Sequence, residues 1–578
     1  MSRPSRSSRH GAFSVFRIPF EGEAGALPTK ELVGSKAHNL MRMARCGLPV
    51  PPGFVLGTDL WRAFSRHGRD ALHGFGAVLA GELEHLAGAT GRRFGDARRP
   101  LLVSVRSGAA VSMPGMMETV LNVGLTRETL RGVVRSTGNP RLAYDCLRRF
   151  IQQFAEVVHG VSPKPFDEIL RAKLAEDGLS QAEELDSEAL RVLAGRYEEC
   201  FETAVGRPMP ADPLVQLEAA IDAVLRSWMS ERARSYRALN AIADDMGTAT
   251  IVQAMVFGNA GPDCGSGVGF TRSPADGGNA LYVDYLPNAQ GEDVVAGRRN
   301  ALGAEEFERR SGDAYRQLLG IKDLLEREFA DMQDFEFTVE NGRLHMLQSR
   351  TGKRTPLAAM RIARDLVAEQ VISPGDALAR LAGIDLDAVD VMALDRSAAG
   401  APIARAVAAS TGVVVGVAVF DPGRVHEMRG RGKPVVLMRE HAETGDIAAL
   451  AEADALITAH GARTSHAAVV ARQLGKVCLV GCASLRISPG HRGGSLGGVE
   501  LKEGDLISAD GGTGEIFLRE MPVVAERPDA LIATIRSWHA QVRPSPDDAS
   551  PRKAGAKERS RPQSLDPRRS MKSRPTSR

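Results

Sequence analysis

QDFEFTVENGRLHMLQSR, residues 333–350, alternates polar and apolar positions with period two on either side of Glu340-Asn341-Gly342, the pattern of a β-hairpin. Loop length decides which side chains share a face. A three-residue loop with Gly342 in the left-handed position sets Asp334 opposite Gln348 and Glu336 opposite Met346, all on one face. A two-residue Asn-Gly turn sends Gln348 to the other face, with Phe335. We prefer the first. It gathers two carboxylates and an amide oxygen, hard ligands suited to Mg²⁺ carrying nucleotide phosphates. The bland alternative, a solvated polar face, is common for any amphipathic hairpin.

Phosphates also need cations and backbone donors. Arg106 closes the apolar run Leu101 to Arg106 and heads Ser107-Gly108, where a guanidinium meets two phosphate oxygens bidentately. Lys36 lies in Gly34-Ser35-Lys36-Ala37, just before the apolar positions Leu40, Met41 and Met43 of a short helix. Residues 264–272, CGSGVGFTR, are glycine-rich between apolar strands and offer backbone N–H groups to phosphates. A surface ion pair, a solvated lysine and a plain hairpin are the ordinary readings of these three. Neither glycine segment matches a Walker A or dinucleotide fingerprint.

A second chemical signal is LITAHGARTSHAAVVARQLGKVCLVG, residues 456–481. Thr464 and Ser465 are good N-caps, Ala467 to Leu474 are helical, and Gly475 is a natural stop. His466 therefore sits at a helix N-terminus, where the dipole disfavours the imidazolium and favours an attached phosphate. His460 lies at a strand end. A histidine in a helix cap is by itself more often structural.

The chain of 578 residues is 43% hydrophobic and 25% charged, the composition of a globular protein rather than a wholly disordered one. Its net charge of +3 hides a contrast: residues 541–578 carry 11 Lys/Arg against 4 Asp/Glu, the first ten carry three Arg, and the rest sums to −7. The expected units are a disordered terminus at 1–12, an α/β region at 13–355, a helical linker at 356–400, a second unit at 401–522 rich in short Val/Ile strands, and a basic Pro/Ser-rich tail at 523–578. Long helices are expected at 141–160 and around 214–239. The Arg/Ser-rich opening suits an organellar transit peptide or, more ordinarily, a disordered terminus. Six cysteines without CxxC or zinc spacing read as buried thiols of a cytoplasmic protein. No apolar run is long enough to span a bilayer, so no membrane role is expected. The tail reads as a solvated extension, and the body holds no specific nucleic-acid module.

Residues 34–57, 101–125 (LLVSVRSGAAVSMPGMMETVLNVGL), 244–272, 288–299 (NAQGEDVVAGRR) and 331–355 together resemble the N-terminal region of the pyruvate, phosphate dikinases. The segment TSHAAVVAR resembles the phosphohistidine domain that those enzymes share with phosphoenolpyruvate synthases and the first enzyme of the sugar phosphotransferase system. The resemblance implies an α/β multidomain fold, an ATP-grasp nucleotide-binding region followed by a swivelling β/α phosphohistidine domain. It implies that Lys36, Arg106 and Arg350 contact phosphates, that Glu292 lies near the nucleotide, and that Gln253 and its neighbours meet the adenine. Glu336 and Gln348, with Asp334 alongside, would hold Mg²⁺. His466 would be the phosphorylated catalytic residue, with ATP and inorganic phosphate as substrates. Thr464 occupies the position that a regulatory kinase modifies in some dikinases. Two departures stand out: the family's GGKGxNL reads GSKAHNL, and its GGMTSH reads GARTSH, so that Arg463 either steadies a phosphoryl group or is simply exposed.

In the dikinases a C-terminal barrel binds pyruvate and phosphoenolpyruvate. Such a barrel needs about 250 residues, and 56 follow Pro522. The expectation is an ATP/phosphate half-enzyme completed by a separate barrel subunit. Two readings stay open beside it: the same chemistry with another small-molecule or protein acceptor, and a non-catalytic nucleotide-binding remnant.

Overall fold

The protein is described by a computed structural model covering residues 8–10, 13–18, 27–72, 74–111, 113, 116–296, 299–395, 397, 400–442, 446–463, 465–488, 490 and 492–542. The first unit is built on two antiparallel sheets. One has six strands in the order Ser8–His10, Phe13–Arg17, Gly53–Leu56, Ala249–Ala254, Val103–Gly108, Thr119–Val123. The other runs Tyr282–Pro287, Gly265–Phe270, Gln333–Glu340, Arg343–Thr351. The helix Lys30–Arg45 lies between them, its Val33, Ala37, Leu40 and Met41 packed with Val55 and Ile251 of one sheet and Phe335, Phe337 and Met346 of the other. That placement brings Arg106 and the hairpin to one cleft. A helical layer centred on Pro140–His159 buries Phe150, Ile151 and Phe154 beneath the six-stranded sheet and ends at Gly160, as its spacing predicts. The single helix expected near 214–239 is instead two, Pro213–Ser227 and Glu231–Leu239. Ser230 restarts the chain by accepting the Ala233 N–H, and the fully buried Trp228 pins the break by donating to the Asp244 carbonyl.

The hairpin corrects the expected register in an instructive way. The turn is the two-residue one: Glu340 pairs with Arg343, and Asn341 and Gly342 both adopt positive φ, 50° and 75°. A bulge then adds one residue between the Phe337–Met346 and Glu336–Gln348 pairs. The extra residue, Leu347, reverses the facing that the short turn imposes. Glu336 therefore faces Gln348 and Asp334 faces Arg350, one pair further along than the three-residue loop predicts.

Residues 264–272 also differ from expectation. Gly265–Phe270 is an inner strand paired on both sides, so its N–H groups are committed to the sheet and none cradles a phosphate. Its glycines serve packing: a Cβ on Gly265, Gly267 or Gly269 would lie 2.1, 2.4 or 2.5 Å from the rings of Tyr285, Phe337 and Phe335. Arg272 is buried in a bidentate pair with Glu326 and joined by Glu369, tying the sheet to the first linker helix.

The linker holds helices Pro356–Ala368 and Pro374–Leu381 and strand Val391–Leu394. The second unit follows as an eight-stranded sheet whose centre, Val413–Val419, Val435–Arg439, Ala455–Thr458 and Val477–Val480, is parallel. Parallel neighbours require crossovers, and the helix His466–Gln473 is the last of these. The tail expected from 523 begins later. Val523–Glu526 pairs with Val391–Leu394, and Asp529–Val542 packs Leu531, Ile532, Ile535 and Trp538 against the linker helices. The linker is thus closed by chain from both ends of the second unit; the apolar spacing of 531, 532, 535 and 538 carried that signal. Residues 543–578 lie outside the described residues.

Candidate functional site

The cluster begins with a broken helix. Gly34, at φ 76°, interrupts Lys30–Arg45, and a Cβ there would lie 2.2 Å from the Gly108 carbonyl oxygen. The helix resumes at Ser35, whose N–H and hydroxyl both donate to the Ala109 carbonyl, at 2.8 and 3.0 Å. The Ser35 hydroxyl therefore fastens this turn to the loop after Arg106. Lys36 projects from the anchored turn toward Arg106, Glu336 and Arg350. Burial and then the nearby Arg106 push its pKa down to about 7, against the pull of Glu336.

Arg106 donates to the Leu347 carbonyl (3.2 Å) and stands 3.5 Å from Glu336, so the bulge that sets the register also supplies an acceptor for the arginine. Gln348 donates to Glu336 at 3.0 Å, and Arg350 Nε donates to Asp334 Oδ2 at 2.7 Å. Burial raises the Asp334 pKa even against Arg350. For Arg350, burial opposes the charge, but Asp334 and Glu336 outweigh it and hold its pKa above the ordinary value. Asp334 Oδ1 is buried with no hydrogen-bond partner. That orphan oxygen, beside Glu336 and the Gln348 amide, is a donor set that fits a hard, oxygen-seeking divalent cation. Among the described residues no group of three His, Cys, Asp or Glu gathers for a metal; the amide and a ligand's own oxygens would have to complete the shell.

Two predicted residues stand apart from this cluster. Glu292 accepts from Arg149 at 3.1 Å beside Asp293, which Arg149 also grips at 2.8 Å; burial raises the Glu292 pKa, against Arg149. Arg149 is held in turn by Asp145. Sequence reasoning passed over it, although the Asp145/Arg149 spacing of four on a helix was visible. Gln253 is 2% exposed and spends its amide on the Pro51 carbonyl at 2.9 Å, so its side chain serves the strand end.

In the second unit, His466 opens its helix after the N-cap Ser465, which accepts the Ala468 N–H. The helix begins beyond the C-terminal end of a parallel strand, a usual position for ligand chemistry in open α/β sheets. Thr464 lies outside the described residues. The His460 N–H donates to the Glu440 carbonyl. The loop before His466 rests on the first unit: the Gly461 N–H donates to Asn300 (3.2 Å), and the Tyr282 hydroxyl donates to the Ala408 carbonyl (3.1 Å). Arg463 and Arg472 lie over the rings of Tyr282 and Phe270 at 4.4 and 5.5 Å. Tyr282, Phe270 and Asn300 carried no motif, and only the placement of the two units reveals them.

A cleft that gathers cations and carboxylates, joined by a linker to a parallel-centred unit with a histidine at a helix N-terminus, has the make-up of a phosphate-handling protein of two units. Family profiles agree. Residues 73–301 match the pyruvate phosphate dikinase AMP/ATP-binding domain, and residues 431–514 match the mobile domain of PEP-utilising enzymes. The chain is 40% identical to pyruvate, phosphate dikinase of Clostridium symbiosum over 527 residues, 91% of this chain and 60% of that protein. It is 39% identical to the pyruvate, phosphate dikinase of Rhizobium meliloti (strain 1021), over 89% of this chain and 59% of that one. For chloroplastic pyruvate, phosphate dikinase 1 of Zea mays the identity is 40%, over 93% and 57%. In its nucleotide-binding and mobile-domain parts the chain is similar to the pyruvate, phosphate dikinases, and it spans about 60% of the length of these relatives.

Proposed function

We propose that this chain carries out the ATP and phosphate half of a dikinase reaction. The His466 imidazole attacks the β-phosphorus of ATP; the bond from that phosphorus to the α-bridging oxygen breaks and AMP leaves. Inorganic phosphate then attacks the γ-phosphorus of the pyrophosphoryl-histidine, pyrophosphate departs, and the β-phosphoryl group stays on His466. Lys36, Arg106 and Arg350 neutralise the charge that spreads over the phosphate oxygens, which is most of what phosphoryl transfer asks of a protein. Asp334, Glu336 and Gln348 would hold Mg²⁺, which when bound draws charge from the phosphate oxygens. Glu292, held by Arg149, borders the nucleotide, and the backbone around Gln253 meets the adenine. The observation that carries this reading is the meeting of three cations and two carboxylates in the cleft of the unit on which the His466 loop rests.

Onward transfer to pyruvate lies outside the chemistry of these two units and calls for a separate pyruvate-binding site. A kinase acting at Thr464 would set about −1.5 to −2 charges beside the nucleophile and block it. We place the reaction in the cytoplasm; no helix of the described residues is long and apolar enough to cross a membrane. The test is incubation with β-labelled ATP, Mg²⁺ and phosphate: acid-labile label on the protein that is absent in His466→Ala supports the reading. ATP binding without any label overturns it and leaves a nucleotide-binding remnant. Label that a pyruvate-binding barrel cannot take up, but another acceptor can, changes the second half alone.

A further inference from the structure

Arg463 neither hangs in solvent nor pairs with a carboxylate among the described residues. It is half-buried, its Nε hydrogen-bonded to nothing among the described residues, and its guanidinium lies 4.4 Å from the centre of the Tyr282 ring. Tyr282 belongs to the edge strand of the hairpin's sheet, two strands from Asp334 and three from Arg350, and in register with both through Phe270. Its ring meets Phe270 edge-on, with centroids 6.0 Å apart, and its hydroxyl donates to Ala408 of the second unit. One side chain of the first unit thus offers a π-face and a donor to two separate segments of the second. Arg472 braces the arrangement from behind. Its guanidinium donates to the Arg463 carbonyl at 3.0 Å and to the Ala409 carbonyl at 2.6 Å, and it lies 5.5 Å from the Phe270 ring.

We infer that Arg463 and Tyr282 are a positioning pair that seats the His466 loop on the nucleotide-binding unit. The inference rests on the proposed phosphohistidine role of the second unit and adds to it the contact that holds the loop there. Three features favour positioning over mere stability. Arg463 lies three residues before His466, so its anchor fixes the approach of the histidine helix. The contact joins two units: Arg463 belongs to no apolar core, and Tyr282 lies at the margin of the one that Phe270 and Met332 share with the linker helices. A cation over a ring is attractive without demanding one hydrogen-bond geometry, so it forms and releases with little reorganisation. Neither residue touches the nucleotide in this scheme; both act through the placement of His466.

The test uses the full chain and the substitutions Arg463→Met, Arg463→Lys, Tyr282→Leu and Tyr282→Phe. Arg463→Met and Tyr282→Leu are expected to slow the first turnover of His466 labelling from β-labelled ATP by ~3- to 10-fold, as loss of one partly buried cation–π contact implies. The ATP dissociation constant should stay unchanged in both, and the melting temperature in Arg463→Met; Tyr282→Leu also trims the linker core, so Tyr282→Phe serves as its stability control. Arg463→Lys and Tyr282→Phe, which keep the cation and the ring, should retain more of the rate. The double substitution should be no slower than the slower single one. Hydrogen exchange supplies an arm independent of catalysis: the Gly461 amide and the strand Tyr282–Pro287 should exchange faster in Arg463→Met and Tyr282→Leu. Unchanged exchange and labelling in both variants would overturn the pair while leaving the proposed reaction intact. A joint loss of ATP binding and melting temperature would overturn it in favour of a structural role. Were the unsubstituted chain to take no label, the reaction would fall, and the exchange arm would still decide the pair.

Discussion

Lys36 shows how much a single residue depends on its setting. A lysine with its pKa pushed down to about 7 is only half charged at neutral pH, because burial and Arg106 both oppose the cation. A polyphosphate brought beside it favours the charged form. Binding of ATP at pH 8 should therefore draw a proton onto the protein, seen as a binding heat that changes with buffer ionisation enthalpy, and Lys36→Met should abolish that uptake. The same shift bears on stability. Between about 7 and the ordinary lysine range the unfolded chain holds the proton and the folded one does not, so this residue adds stability as pH rises through that window and subtracts it below. Lys36→Met should raise the melting temperature at pH 6.5 while weakening ATP binding. Arg106→Ala, which in the proposed reaction removes a donor to the phosphates, is expected to slow His466 labelling by about 10²–10³-fold. Arg350→Met leaves Asp334 buried without its partner and should cost about 1–3 kcal/mol in denaturant melts as well as activity.

At the scale of elements, the hairpin carries the chemistry through a bulge that its sequence did not announce. Deleting Leu347 should restore regular pairing and keep Gln348 opposite Glu336 and Arg350 opposite Asp334, but it removes the carbonyl that accepts from Arg106. ATP binding should then weaken while the hairpin's strand content by circular dichroism persists. Gly267→Ala has a different fate: its Cβ would meet the Phe337 ring at 2.4 Å, and overpacking of this kind costs about 1–3 kcal/mol. The contrast marks what sequence reading reached. Period two and Asn-Gly gave the hairpin, and helix caps gave the helix at His466. The bulge was hidden because one inserted residue leaves both flanking patterns intact. The glycines of 264–272 were misread because a glycine spared for a phosphate and one spared for an aromatic ring look alike until the neighbouring strand is known. Gln253 was expected only as a neighbour of the adenine, and its hydrogen bond to Pro51 depends on a chain segment two hundred residues away.

Across the whole molecule, the second unit is held by paired strands at its two ends, Val391–Leu394 and Val523–Glu526, and by three linker helices sharing one core. Trp538, 5% exposed, sits in that core. Trp538→Ala should destabilise the linker module by about 3–5 kcal/mol, read as an early unfolding transition, with ATP affinity unchanged. Sequence alone placed the two units and their order, yet it ended the folded chain at 522, since twenty residues with four apolar anchors look sparse until the helices they cover are in view. The account joins the two units through one event, attack by His466 on the β-phosphorus of ATP. Its most direct measurement compares ATP labelled at the α, β and γ positions in the presence of Mg²⁺ and inorganic phosphate. Label from the β position should remain on the protein, label from γ should leave in pyrophosphate, and label from α should leave in AMP. Retention of γ label on the protein, with ADP as the product, would contradict it.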